Sequence, residues 1–415
     1  MAFRIYKRRN KGVPAGFFSE NAFIIFDFAC YVFYTCKICR ARPIKQKRAG
    51  RTPTGKEDFI NMNQKASMRF PLPVPQSEAD STRFYAIDSH TMGEPTRVIL
   101  SGFPPLRGKT MMEKKQYLAE HLDYLRKALI LEPRGHADMF GAIVTQPTRP
   151  DEADLGVIFM DSGGYLNMCG HGSIGVASVA VDEKLVPVTE PYTRVVLEAP
   201  AGLIETKVRV ENGKAKEVTI TNVPCFLYKA GVQVDLQDFG PVTLDISFGG
   251  SFFALVNADK LGIALKPEAV SLLVRTGMEI LQKVNQQERV QHPYLDIHTV
   301  DLVEFYGKAD KPEATLKNVV VFGDGQVDRS PCGTGSSAKV ATLYQKGRLR
   351  MHEEFVYESI TGSLFRAQVI RETMAGPYPA VVPQVTGSAY VTGRQEIIID
   401  PDDPLKYGFN LQQRA

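Results

Sequence analysis

Tryptophan is absent from the chain, and cysteine is scarce, with six in 415 residues. The first absence excludes nothing, but the second rules out a disulfide scaffold. Cys30, Cys36 and Cys39 fall within the first 67 residues, which leaves Cys169, Cys225 and Cys332 for the other 348. An odd number of thiols at wide spacing points to a reducing compartment, and a cytoplasmic location is expected. Long apolar runs are missing as well. The stretch from Ala22 to Thr35 spans 14 residues and contains Asp27, whereas a spanning helix needs about 20. No Cys and His cluster has metal-ligand spacing. No G-x-G-x-x-G follows the first strand-like run, so a dinucleotide fold is set aside. Neither a metal nor a cofactor is expected.

Net charge is also small, at +4, but it averages two unlike pieces. Residues 1–67 hold 14 Lys+Arg against Glu20, Asp27, Glu57 and Asp58, a net +10. The remainder holds 36 basic and 42 acidic residues, a net −6. An acidic body lacks the basic face of a nucleic-acid binder, so nucleic acid is excluded as its partner. The extension 1–67 reads as a disordered or targeting segment. Its basic start and short apolar core match a signal peptide, but no clear small-x-small site follows. Secretion or anchoring therefore stays open. Cys36-x-x-Cys39 has no second pair or His to complete a redox or metal site.

What the body does contain is a mixed pattern. Pro71, Pro73 and Pro75 form an extended lead-in. Strands are expected at Phe84 to Ile87 and Arg97 to Leu100, flanking a polar loop from Asp88 to Thr96. One helix is expected over Glu113 to Leu131, and a second over Glu268 to Val284 behind Pro267. Short buried strands are expected at Gly141 to Thr145, Leu155 to Met160 and Val319 to Phe322. Val195 to Glu198, Leu203 to Val210 and Val218 to Thr221 alternate like antiparallel strands. Tyr390 to Thr392 and Glu396 to Ile399 close the chain. Cys225 reads as a small core hydrophobe.

One segment occurs twice. Cys169-Gly170-His171-Gly172-Ser173 can be laid on Cys332-Gly333-Thr334-Gly335-Ser336, 163 residues apart. Each copy follows an apolar strand and a Gly-containing loop and leads into a run of small and apolar residues, Ser173 to Val181 or Ser336 to Tyr344. This is the mark of a duplicated half-domain. A cysteine at a helix N-terminus meets a positive dipole end and unpaired N–H groups, which favour thiolate. The glycines allow close backbone approach, and the N–H groups suit a carboxylate or phosphate. A hydrolase nucleophile does not account for a second thiol. An acid and base pair does: one thiolate removes a proton from a carbon and the opposite thiol returns one to the other face.

Two further stretches complete the pattern: Asp88-Ser89-His90-Thr91 with Gly93-Glu94, and Glu132-Pro133-Arg134-Gly135-His136 through Gly141. Together with Gly164 to Gly175 and Asp328 to Gly335, they resemble the proline racemase family from about Arg83 to Asn410, without reaching the extension. The resemblance implies an α/β fold of the diaminopimelate-epimerase type. Two pseudo-symmetric halves each wrap sheet around a central helix, with the site in the cleft between them. The expected halves are 68–191 plus 392–415, carrying Cys169, and 192–391, carrying Cys332. The resemblance also implies a cofactor-independent isomerase and a homodimer. Cys169 and Cys332 are its expected bases. Gly170, His171, Gly172, Asp328, Gly333 and Thr334 form the substrate-holding set, and Phe140, Leu166 and Phe322 the ring walls. His171 has thiol support or helix capping as its alternative, and Asp328 has loop anchoring. His90, Glu94, Arg97, His136 and Asp138 read as structural neighbours of the site.

The paired cysteines favour a racemase or epimerase over the dehydratase branch, which lacks the pair. Apolar Leu166 and Phe322 favour proline over 4-hydroxyproline, because a hydroxyl buried against them loses its water partners. A non-catalytic binder on the same fold is the competing class, and the intact cysteine pair speaks against it.

Overall fold

The computed structural model describes residues 82–411. The expected extension 1–67 and the proline lead-in lie outside the described residues. In chain order the first elements are β1 (Thr82–Thr91), β2 (Glu94–Ser101), α1 (Met111–His121), α2 (Asp123–Ile130), β3 (Gly141–Thr145), β4 (Leu155–Met160), β5 (Tyr165–Leu166), α3 (Gly170–Asp182), β6 (Tyr192–Ala199), β7 (Gly202–Glu211) and β8 (Lys214–Thr221). Next come β9 (Phe226–Leu236), β10 (Gly240–Phe248), β11 (Phe252–Asn257), the short α4 (Ala258–Leu261) and α5 (Val270–Gln287). The chain continues through β12 (Val300–Gly307), β13 (Leu316–Phe322), β14 (Gln326–Asp328), α6 (Gly333–Gln345), β15 (Phe355–Glu358), β16 (Leu364–Ala375), β17 (Tyr378–Gly387) and β18 (Ala389–Ile399).

The duplication read from the cysteine motifs extends to the strand ladders. One ladder runs β18-β1-β2-β3-β4-β6-β7-β8, with successive pairings antiparallel, antiparallel, parallel, antiparallel, parallel, antiparallel, antiparallel. The other runs β9-β10-β11-β12-β13-β15-β16-β17 with the same succession. β5 folds back on β4 as β14 folds back on β13. β8 pairs with β17 and joins the two ladders. The first ladder curls around α3 and the second around α6. Tyr192–Thr221, expected in the second half, therefore packs on α3. β6 adds to β4 in parallel, and this ladder buries the apolar faces of β6, β7 and β8 against the first central helix.

Both central helices are apolar enough to be enclosed. In α3 every residue from Gly170 to Val181 is buried. In α6 burial covers Gly333 and Gly335 through Thr342. A helix of mostly small and apolar residues has no charged face to present to solvent, and the one charge within the buried part of α6, Lys339, is enclosed with it. Among the described residues no helix is long and apolar enough to cross a membrane.

Three local expectations are corrected. The polar segment after Ile87 is not a loop: β1 runs to Thr91, β2 starts at Glu94, and Met92 (φ 49°) and Gly93 (φ 107°) make a tight turn with positive φ at both central positions. The single helix over Glu113 to Leu131 breaks at Leu122, whose φ of −129° leaves the helical region. Asp123 then opens α2 with a carboxylate in its first turn and pairs with Arg126 (Nε–Oδ1 2.6 Å). Tyr390 to Thr392 and Glu396 to Ile399 belong to one strand, β18, in continuous register with β1 apart from a bulge at Asp88/Ser89.

Candidate active site

Each cysteine is the N-cap of its central helix. Cys169 caps α3 from an extended conformation (φ −145°, ψ 129°), and its Sγ accepts the Gly172 N–H at 3.4 Å. Cys332 caps α6 at φ 60°, ψ 115°, and its Sγ accepts the Gly335 N–H at 3.3 Å. A positive φ is uncommon for a residue with a side chain and marks local strain. The strained turn is held by Ser330 Oγ, which accepts the Cys332 N–H at 3.1 Å.

The two helices meet at their N-termini. A Cβ added to Gly170 would lie 2.9 Å from Gly333 Cα, and one added to Gly333 would lie 3.0 Å from Gly170 Cα. These glycines are therefore small because the helix ends touch each other. Gly172 is small for a third reason, since a Cβ there would stand 2.8 Å from the Phe159 ring. Gly175 packs on Thr91 and Thr96 of the first hairpin, and Thr91 Oγ1 donates to the His171 carbonyl at 2.9 Å. Gly170, Gly172 and Gly175 thus share the spacing of a dinucleotide fingerprint while serving packing.

A cavity of about 60 Å³ lies at this junction. It is lined by Cys169, Gly170, His171, Asp328, Cys332, Gly333 and Thr334, with Phe140, Leu166 and Phe322 as apolar walls. The expected site residues come together there, with the exception of Gly172, which acts on the Cys169 sulfur instead of lining the space. Met168, Ser251 and Leu302 also line it and were not foreseen. Met168 directly precedes the first motif cysteine. Leu302 pairs with Phe322 across β12 and β13, a register that sequence does not supply. Ser251 lies in the Gly249-Gly250-Ser251 turn, where Gly249 is pressed against the first turn of α6.

Electrostatics in the cavity run against one expectation. Helix-end N–H groups were expected to favour thiolate, yet burial pushes the proton affinity of both thiols well above the ordinary range. The N–H bonds from Gly172 and Gly335 oppose this, while the Asp328 carboxylate reinforces it. Loss of water around a sulfur outweighs one hydrogen bond from a helix end. His171 is buried, with Nδ1 3.2 Å from Cys169 Sγ and its ring 4.4 Å from that of Phe140. Burial lowers its proton affinity, against the pull of Asp328, which favours the neutral imidazole. Asp328 is 4% exposed, and Oδ1 accepts the Ser330 N–H at 2.8 Å. Both alternatives raised from sequence are therefore physically present: His171 supports a thiol and Asp328 anchors a loop, while each also faces the cavity.

The structural neighbours form a frame around this core. Glu94 is buried, accepts the Arg329 N–H at 2.7 Å, and is held toward its neutral form by burial and then by Asp328. Arg329 also reaches Asp138 at 2.7 Å. Arg97 grips Asp88 in a fork of two 2.9 Å contacts and donates to the Leu129 and Arg134 carbonyls. His90 and His136 each accept a nearby backbone N–H. Cys225 is fully buried, free, and raised in proton affinity by burial alone.

The sequence profile of proline racemase matches residues 86–410. The chain belongs to the proline racemase family. A proline racemase of Acetoanaerobium sticklandii is 56% identical over 333 residues, covering 80% of this chain and 99% of its own. Proline racemase A of Trypanosoma cruzi is 43% identical over 424 residues, covering 98% of this chain and all of its own. The likeness thus reaches into the N-terminal extension, contrary to expectation. A hydroxyproline epimerase structure from Agrobacterium vitis, with bound trans-4-hydroxy-L-proline, superposes with a TM-score of 0.74 at 31% identity, covering 80% of this chain and 96% of that one. The fold is the diaminopimelate-epimerase-like α/β fold, and the chain is an isomerase of the racemase and epimerase class.

Proposed function

We propose that the chain interconverts L- and D-proline by a two-base mechanism in which Cys169 and Cys332 exchange roles as thiolate and thiol. The observation that carries this reading is the pair of cysteine-capped helices meeting end to end around one cavity. The helical pattern leaves the N–H groups of Gly170, His171, Gly333 and Thr334 without intrahelical partners, since the first helical bonds run from Ser173 to Cys169 and from Ser336 to Cys332. These four donors converge from both helices and hold the substrate carboxylate. The ring lies against Phe140, Leu166, Met168, Leu302 and Phe322. Asp328 and His171 receive the ring ammonium.

The proton steps follow. One thiolate takes the Cα proton and becomes a thiol. The electron pair left behind spreads onto the carboxylate, where the helix-end donors stabilise it. The opposite thiol then gives its proton to the other face of Cα and becomes a thiolate. Burial holds both thiols protonated in the free site, and the incoming ammonium supplies the positive charge that favours one thiolate. The two sulfurs titrate as a pair.

A second reading, 4-hydroxyproline 2-epimerase, has one specific support, the hydroxyl-bearing Ser251 among the residues that line the cavity. The kcat/KM ratio for the two imino acids separates them, and a ratio above one for proline is expected. The reading also includes a homodimer, which the resemblance implies, and a cytoplasmic location, which fits the free thiols of an acidic body. Light scattering that returns a single-chain mass removes the former. The two halves are proposed as 82–221 plus 389–411, and 226–387, following the ladders.

A further inference from the structure

Behind Cys332 sits a carboxylate that the reaction does not use. Glu304, on β12, is fully buried. Its Oε1 accepts the Tyr357 hydroxyl at 2.7 Å, and its Oε2 has no hydrogen-bond partner. Oε2 is lodged against Gly335: a Cβ added there would strike Oε2 and lie 3.2 Å from Cys332 Sγ. The carboxylate and the sulfur thus flank the same point in the first turn of α6. β12 carries Leu302 on the cavity wall two residues earlier, so the strand that shapes the substrate space also delivers Glu304 beneath the thiol.

The first half is arranged differently. Beside the backbone N–H that each sulfur accepts, Cys169 has His171 Nδ1 at 3.2 Å and Cys332 has the Thr334 hydroxyl at 3.5 Å. The carboxyl group near Cys169, Glu94, is bound by the Arg329 backbone N–H and has the Arg329 guanidinium at 4.0 Å. Glu304 is faced by Tyr357 from β15, Asn318 from β13 and Lys339 from α6. The Lys339 ammonium is placed over the Tyr306 ring, 2.7 Å from its centre, and burial lowers its own proton affinity to about 7. Glu304 is raised to about 7, so its charge develops across the neutral range. Asp328 raises the proton affinity of both sulfurs.

We propose that Glu304 is a positioning residue that holds the proton on Cys332 and so orders the two thiols, with Cys169 ionising first and Cys332 second. This rests on the two-thiol reading above, but not on the identity of the substrate. A buried carboxylate whose Oε2 has no hydrogen-bond partner, and whose facing cation Lys339 is itself driven toward neutrality by burial, disfavours a second negative charge beside it, while Glu94 beside Cys169 is compensated by Arg329.

The test is the pH dependence of iodoacetamide alkylation of the full-length protein, followed separately at each cysteine by peptide mass spectrometry. In the wild type the Cys169 midpoint is expected at lower pH than that of Cys332. In Glu304→Gln the Cys332 midpoint is expected to fall by about one pH unit, giving up to roughly tenfold faster alkylation at fixed neutral pH, with Cys169 unmoved. A wild-type order with Cys332 first overturns the proposal, and this needs no variant to fold. A folded Glu304→Gln protein with both midpoints unchanged also overturns it. If the order holds and proline does not turn over, the substrate assignment fails and the ordering stands.

Discussion

In the proposed mechanism the two sulfurs carry the chemistry, and burial governs them. Cys169 and Cys332 are 8% and 5% exposed, and desolvation raises both proton affinities. The sign for activity follows. The working form has one thiolate and one thiol, and a raised affinity depletes it at low pH. Activity with proline, as kcat/KM, is therefore expected to climb from pH 6 through 8 and into the alkaline range. A profile that falls over that interval contradicts the raised affinities. Cys169→Ser and Cys332→Ser are each expected to retain the fold and lose roughly 10²- to 10⁴-fold in kcat, the usual range for one acid or base. Circular dichroism with a racemisation assay checks both halves of that statement. The cysteine pair was legible in sequence because it occurs twice in matching contexts. The direction of the thiol shifts was not, because burial depends on side chains brought from β12, β14 and the β1–β2 hairpin. The glycines were legible as necessary, but the helix contact that also requires two of them was not: Gly170 and Gly333 make room for each other.

That contact belongs to the element scale. α3 and α6 touch at Gly170 and Gly333, with no room for a methyl group on either. Gly170→Ala or Gly333→Ala is expected to force the helix ends apart at a cost of about 1–3 kcal/mol, typical of overpacking, and to reduce racemisation. Urea denaturation at unchanged m-value measures the first effect. Gly213→Ala, at a β-turn with nothing near its Cβ position, controls for crowding; its φ of 69° still carries backbone strain, so some loss of stability is expected there with activity intact. Sequence periodicity located α3, α5 and α6 because their apolar patterns are long. It joined α1 to α2, since the break at Leu122 is a backbone departure between two helices that keep the same apolar phase. It missed β5, β9 to β12 and β14 to β17, where no turn motif marks the strands and where several pairing partners lie far along the chain. It read Asp88 to Thr96 as a loop because polar residues there pair with Arg97, Thr96 and Arg329 in place of water.

For the whole molecule, the ladders show what the repeat meant. Two eight-strand ladders with one order of parallel and antiparallel pairings surround two helices whose starts are 163 residues apart. The ladders favour a half-boundary later than the expected 191/192, where the sequence has no linker to mark it. β6 follows α3 and adds to the same ladder, and the proposed crossing falls near Asn222. The +4 net charge had little bearing on the site. The proposed attraction for a carboxylate is local, from backbone N–H groups, within a body of net −6. The Acetoanaerobium relative matches along 99% of its length without spanning more than 80% of this chain. A variant beginning at Met68 is accordingly expected to racemise proline at the full-length rate, and a kcat/KM comparison checks it.

The central claim, inversion at Cα by two opposed thiols, is tested most directly by following L-proline in D₂O by NMR from the first turnovers. Two bases predict D-proline that carries deuterium at Cα from the start, because its new proton comes from a solvent-equilibrated thiol. The remaining L-proline should keep protium over the same interval. Product that retains the original hydrogen, or label entering substrate and product at equal initial rates, would contradict the account.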